Sequence, residues 1–253
     1  MMESPAFSWT VLLPVKVLAR AKSRLAVLAG SRRCDLALAL AMDTLSAVVN
    51  CPDAARVIVI TSDPLAGPRL AALGAHIVPD VTANTANLAA DLDGPGAAPG
   101  LDGLAGLDES GSQAALNAAL RHGAAEAARR WPGTGLAALT ADLPSLRAAE
   151  LSTALRAAAA THAAFVPDAA GIGTTLYATT PGGEFRPEFG GRSRARHAAA
   201  GAAELALDGV PGLRRDVDTE QDLRTAIALG AGRRTTALAA ELLPPPGELD
   251  LRS

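Results

Sequence analysis

Three aspartates are the residues best placed to do chemistry. Asp142 stands in "LTADLP", at the end of an apolar, strand-like run. Ser145 is expected to cap the helix after Pro144, which leaves Asp142 without a structural task. A carboxylate at the ligand edge of a sheet is a natural partner for Mg²⁺, a hard cation that prefers oxygen. Asp216 and Asp218, in "RRDVDTEQDL", are two apart. On an extended backbone both point the same way. Two like charges side by side repel unless a cation lies between them. Capping of the helix expected from Glu220, by Asp218 or Thr219, accounts for one acid and not for both. With Asp142 the pair makes a candidate three-carboxylate metal site.

Opposite charge collects near the N-terminus. "LLPVKVLARAKSRLA" runs from apolar residues into Lys16, Arg20, Lys22 and Arg24 with no acid among them. In an open α/β sheet, ligands bind beyond the carboxyl ends of the strands. Lysine and arginine at that place suit phosphate oxygens. The alternative is a solvated basic loop whose side-chain stems cover apolar surface. A third group lies in "PEFGGRSRARH", where Gly190 and Gly191 precede Ser193 and a helix. Glycines permit close backbone approach, and a helix N-terminus offers N–H groups to an anion. Arg192, Arg194, Arg196 and His197 are expected to add positive charge there. "DAAGIGTT" is a second glycine-rich corner, with hydroxyls at Thr174 and Thr175. Asn117, in "ALNAAL", is a mid-helix amide that faces either a nucleotide or water. His76, His122 and His162 read as structural.

These groups need a scaffold, and the pattern supplies one. Apolar strand-like runs over Thr10–Val15, Arg56–Ser62 and Ala75–Asp80 alternate with helical stretches over Cys34–Val49 and Pro64–Gly74. That alternation predicts a parallel sheet with helices on its faces. Further helices are expected over Ser112–Trp131, Pro144–Ala160, Ser193–Leu205 and Glu220–Gly230. Further strands are expected over Gly135–Pro144, His162–Asp168, Thr174–Thr180 and Leu213–Thr219. The segment Ala83–Gly111 is rich in Gly, Ala, Asp and Pro and reads as a loop or insertion. The expected organisation is one domain over 1–230, then a C-terminal helix and frayed tail over 231–253.

Composition removes several function classes. The net charge is -3 and aromatics are 3%, which argues against nucleic acid as a partner. Cys34 and Cys51 form neither a disulfide framework nor a metal spacing. No run of about 18 apolar residues and no leader peptide is seen, so the expected location is the cytoplasm, away from membranes. The G-x-G-x-x-G and G-x-x-x-x-G-K-[ST] fingerprints are absent after the first strand, and G-x-S-x-G is absent throughout.

Taken in order, "LPVKVLARAKSRLA", "LNAALRHG", "ADLP", "GIGTT", "FGGRSRARH" and "DVDTEQDL" resemble the guanylyltransferases that begin assembly of the deazaflavin coenzyme F-420. The likeness runs from about Val11 to Leu223. It implies a single α/β domain, Rossmann-like and similar to nucleotidyltransferases and type A glycosyltransferases, with a mixed, mostly parallel sheet flanked by helices. It implies GTP and a small phosphorylated three-carbon acid as substrates, and GMP transfer with release of pyrophosphate. The acceptor is expected to be phosphoenolpyruvate, on the actinobacterial look of an Ala- and Arg-rich composition, with 2-phospho-L-lactate or 3-phosphoglycerate as alternatives. By the same resemblance, Asp142, Asp216 and Asp218 would hold Mg²⁺. Lys16, Lys22 and Arg24 would hold the triphosphate. Thr174 or Thr175, Gly190 and Ser193 would bind the acceptor. The long 83–111 segment and the "FGGRS" turn depart from the family pattern. A rival nucleotidyltransferase, for a sugar or molybdopterin, would want a Gly-Gly turn after the first strand, which is missing. A non-catalytic nucleotide-binding protein would not need three converging acids. Assembly into a homo-oligomer is left open.

Overall fold

In β1 (Trp9–Pro14) the side chains alternate, so Val11 and Leu13 enter one apolar cluster and Leu12 another. Both faces of such a strand must be covered, and a computed structural model, describing residues 7–82 and 105–243, shows how. β1 lies inside a seven-stranded sheet of order β3-β2-β1-β4-β6-β5-β7. The strands are β2 (Ala54–Ile60), β3 (His76–Val78), β4 (Gly135–Leu139), β5 (Ala163–Pro167), β6 (Thr174–Thr179) and β7 (Ala203–Glu204). All neighbours pair in parallel except β6, which runs against both β4 and β5. The mixed, mostly parallel sheet of a single α/β domain is therefore present.

One side of the sheet is covered by α2 (Arg33–Val49), which a short helical turn α1 (Ala26–Ala29) precedes, by α3 (Ala66–Ala71) and, further along, by α5 (Ala148–Ala158). The other side is covered by α4 (Ala105–Arg130). α2 is apolar on two faces because it is packed on two sides. Ala37, Leu38, Ala41 and Leu45 meet the sheet, while Leu36 and Leu40 meet α8 (Glu220–Ala228) and α9 (Arg233–Leu242). Asp43 reaches from α2 to cap α9, accepting the Thr235 N–H at 2.8 Å. In α4 a Cβ at Gly123 would lie 2.8 Å from Ile60 Cγ1, so only glycine lets that helix close on β2.

Several boundaries differ from expectation. Residues 83–104 of the expected insertion lie outside the described residues, but the chain is already helical from Ala105, so Ser112 sits inside α4 and is not its cap. Ser145 does not cap α5 either. That helix starts after Arg147, whose N–H donates to Glu150 Oε2 at 3.2 Å, and the Ser145 hydroxyl is buried without a partner among the described residues. The helix from Ser193, α6, stops at Ala199, where Gly201 adopts φ +85° and leads into β7. The strand expected over Leu213–Thr219 is instead α7 (Pro211–Arg214) followed by an extended stretch. Proline at the first turn fixes φ for that helix.

α7 packs closely on the start of α5, for a Cβ at Gly212 would lie 2.2 Å from the Ser145 carbonyl oxygen. Gly212→Ala should lower the melting temperature, at a cost of about 1–3 kcal/mol. Gly111→Ala, at an exposed helical position with open space around it, should raise it by up to about 1 kcal/mol of stability. Thermal melts of both proteins check the opposite signs.

Candidate active site

A cleft of about 640 Å³ opens over the carboxyl ends of β1 and β4 and the start of β6. Strand reversal explains the last. β6 is antiparallel to β4, so its first residue, Thr174, reaches the same rim as the last residues of the parallel strands.

The loop after β1 forms the basic wall, with Lys16, Lys22 and Arg24 all lining the cleft. It is pinned at two points. Val15 N–H donates to the Ile60 carbonyl at 2.9 Å, and Leu18 N–H donates to Asp63 Oδ2 at 2.8 Å. The other Asp63 oxygen accepts from Leu65 and Ala66. Burial pushes the Asp63 pKa up, but these three N–H donors outweigh it and hold it below the usual value. Asp63 was not singled out from the sequence; its place at a strand end before Pro64 was the available signal. Lys16 Nζ donates to Ser112 Oγ at 2.7 Å, which ties the loop to α4.

Lys22 differs from the expectation of a free phosphate ligand. Its ammonium is bound between Asp142 Oδ2 and Asp218 Oδ1, the latter at 2.8 Å. Burial lowers its pKa, yet the two carboxylates more than reverse this, so it stays charged. Its backbone is left-handed, φ 54°, the one non-glycine residue with positive φ among the described residues. Such a conformation is uncommon outside glycine and clusters at functional sites.

The structure brings the three acids to one rim. Asp142 is placed by its neighbours: its carbonyl accepts the Val217 N–H at 3.1 Å, and Leu143 N–H donates to Thr44 Oγ1 of α2 at 2.9 Å. Val217 is fully buried against α2 and α8, which turns its flanking Asp216 and Asp218 to the cleft. Thr219, not Asp218, caps α8, accepting the Asp222 N–H at 3.2 Å. Burial first, then the charges of Asp142 and Asp218, push Asp216 up to about 7. Asp218 moves the other way. Burial would raise it, but Lys22, with Arg24 and Lys16 behind it, holds it low. Among the described residues no three acids, histidines or cysteines stand as a ready-made metal cluster, because Lys22 lies between two of them. The donor set still suits a divalent ion. Three carboxylates face one ammonium, and Asp142 Oδ1 is buried with no partner among the described residues.

On the opposite wall lie Thr174, Gly190 and Ser193. Ladder pairing passes from Val166↔Leu176 to Pro167↔Thr174, so Thr175 is skipped as a bulge and Thr174 is re-aimed. Thr174 lines the cleft. Thr175 does not, and its hydroxyl is buried without a partner among the described residues. Gly190 and Gly191 have φ +97° and +45°, and a Cβ at Gly190 would lie 2.3 Å from Gln113 Cγ. Gln113, also on the cleft wall, was not read from the sequence. Asn117, a candidate for the nucleotide with water as the alternative, instead spends its amide on the main chain. Oδ1 accepts the Phe189 N–H at 2.9 Å, and Nδ2 donates to the Phe189 and Gln113 carbonyls. It fixes the glycine turn. His197 does not add charge, since it is fully buried and pushed down to about 4, first by burial and then by Arg196. Arg194 and Arg196 are also engaged, by Glu204 and by the Glu188–Gly190 carbonyls.

A solved structure described as a nucleotide-diphospho-sugar transferase from Desulfovibrio desulfuricans shares the fold, with a TM-score of 0.60 at 16% identity over 93% of this chain and 95% of that one. That likeness is one of fold, a single α/β domain with a mixed, mostly parallel sheet. No family model matches the chain. It is 50% identical to a phosphoenolpyruvate guanylyltransferase of Thermomonospora curvata, over 93% of this chain and 90% of the relative. It is also 50% identical to one of Streptomyces coelicolor, over 93% and 97%. The chain belongs to the phosphoenolpyruvate guanylyltransferase family.

The raised Asp216 has a measurable sign. An unfolded aspartate ionises near 4, and the folded one near 7. Between these values the folded state binds more protons, so stability falls as pH rises from about 4 to 7. Asp216→Asn should therefore raise the melting temperature at pH 8 and have little effect at pH 4, in melts run with a chelator.

Proposed function

We propose that this cleft moves GMP from GTP to phosphoenolpyruvate, releasing pyrophosphate and leaving enolpyruvoyl-2-diphospho-5'-guanosine, in coenzyme F-420 biosynthesis. The activity for which the relatives are named supports the substrates. The observation that carries the reading is the meeting of Asp142, Asp216 and Asp218 beside the basic loop.

The reaction joins two anions. An acceptor phosphate oxygen attacks the α-phosphorus, the α–β bridging bond breaks, and its electron pair leaves with pyrophosphate. A phosphate monoester has its second pKa near about 6, so the nucleophile is already ionised at neutral pH. No side chain need act as a general base, which fits a rim without a titrating histidine. Lys16 and Arg24 are the cations that meet the nucleotide's phosphates. Thr174, Gly190 and Ser193 meet the acceptor, and the fixed glycine turn sets its line of approach. Asp142, Asp216 and Asp218 would hold Mg²⁺, whose chemistry here is to neutralise phosphate charge. The Lys22 ammonium, on the same rim between Asp142 and Asp218, would face the same phosphates.

The test is pyrophosphate release from GTP and Mg²⁺ with phosphoenolpyruvate, 2-phospho-L-lactate and 3-phosphoglycerate as separate acceptors. Phosphoenolpyruvate should give the fastest release. Asp142→Asn and Asp218→Asn should each cut turnover about a hundredfold or more with an unchanged circular dichroism spectrum. Near-normal rates in either variant would sink the assignment of the acids, and GTP binding without release would favour a non-catalytic protein.

A further inference from the structure

His197 lies behind the acceptor wall, and its two ring nitrogens have unlike partners. Nε2 is 2.9 Å from the main-chain N–H of Glu188. A backbone N–H only donates, so Nε2 must accept and carries no proton. A neutral imidazole then keeps its proton on Nδ1. Nδ1 is 3.0 Å from Thr174 Oγ1, and it donates to that oxygen. The hydroxyl has no other protein partner among the described residues, and Thr174 borders the cleft. Its own hydrogen is left to point at whatever the cleft holds.

We propose that His197 is a positioning residue that makes Thr174 a hydrogen-bond donor toward the acceptor anion; this rests on the transferase reading of the cleft. The ring is held rigidly. It stacks on Tyr177 at 4.6 Å between centroids and meets the Phe189 edge at 5.5 Å. It also ties the turn to β6, because Glu188 precedes the Phe189 clamped by Asn117. One imidazole thus sets both the polarity of Thr174 and the distance of the glycine turn from it. Burial, with Arg196 nearby, keeps the ring neutral at physiological pH.

Nitrogen NMR of protein labelled at histidine tests the tautomer with His197 and Thr174 left unchanged. The His197 resonances are assigned by removing His76, His122 and His162 in turn. Protonated Nδ1 with bare Nε2 is expected, and the reverse overturns the proposal. Steady-state kinetics test the role. His197→Phe, which keeps the stacked ring, should raise KM for phosphoenolpyruvate about tenfold, a factor equal to about 1.4 kcal/mol, with KM for GTP unchanged. Thr174→Val should do the same, and adding His197→Phe to it should raise KM no further. Unchanged acceptor KM in His197→Phe, or full additivity in the double variant, overturns the inference while the enzyme reading stands. A wild-type protein that turns over none of the three acceptors overturns that reading and, with it, the ligand assigned to Thr174.

Discussion

The site depends on a single electrostatic problem, the confinement of Asp142, Asp216 and Asp218 at one rim of a sheet. Like charges so close cannot all ionise without a cation. Lys22 answers part of this by placing one ammonium between two of the acids, at the cost of a left-handed backbone. The remainder is visible in Asp216, which holds its proton to about 7. The rim is therefore short of positive charge by design of its own residues, and under the proposed function that shortage suits a divalent ion.

Rigid anchors keep the acids from relaxing apart. α2 is central to this. One of its faces packs the sheet, the other packs α8 and α9, and Thr44 holds the chain just after Asp142. Val217 is buried in the cluster shared with α2, so the extended acidic stretch is fixed by hydrophobic packing as well as by its bond to Asp142. The basic loop is restrained independently through Asp63. Charge is gathered by elements that cannot easily yield.

Much of this was legible in the sequence, for a physical reason. The strands and α2 announce themselves through apolar runs, Asp142 stands where such a run ends, and Asp216 and Asp218 are marked by their spacing of two. Polar residues whose partners are main-chain groups were harder to read. Asn117 meets Phe189 across 72 positions, and Leu18 meets Asp63 across 45. Nothing local distinguishes such a side chain from one facing water or ligand. His197 was misjudged as a charge because burial, not composition, decides its protonation. The early start of α4 was hidden by Gly106 and Gly111, which are poor helix formers. The pair Gly190-Gly191 did signal close approach, although Gln113 as the approaching group did not show.

Reversal of β6 divides the cleft along the chain. The basic loop and Asp142 belong to the parallel strands β1 and β4, whereas Thr174, Gly190 and Ser193 come from the later hairpin and the segment that follows it. Ser112 and Gln113 of α4, together with Asp216 and Asp218, join the two. Under the proposed function, a lineage could thus remodel the hairpin to suit a differently shaped small acid while the half built on β1 and β4 stayed as it was. Exchanging residues 168–197 between homologues is the natural unit of such change.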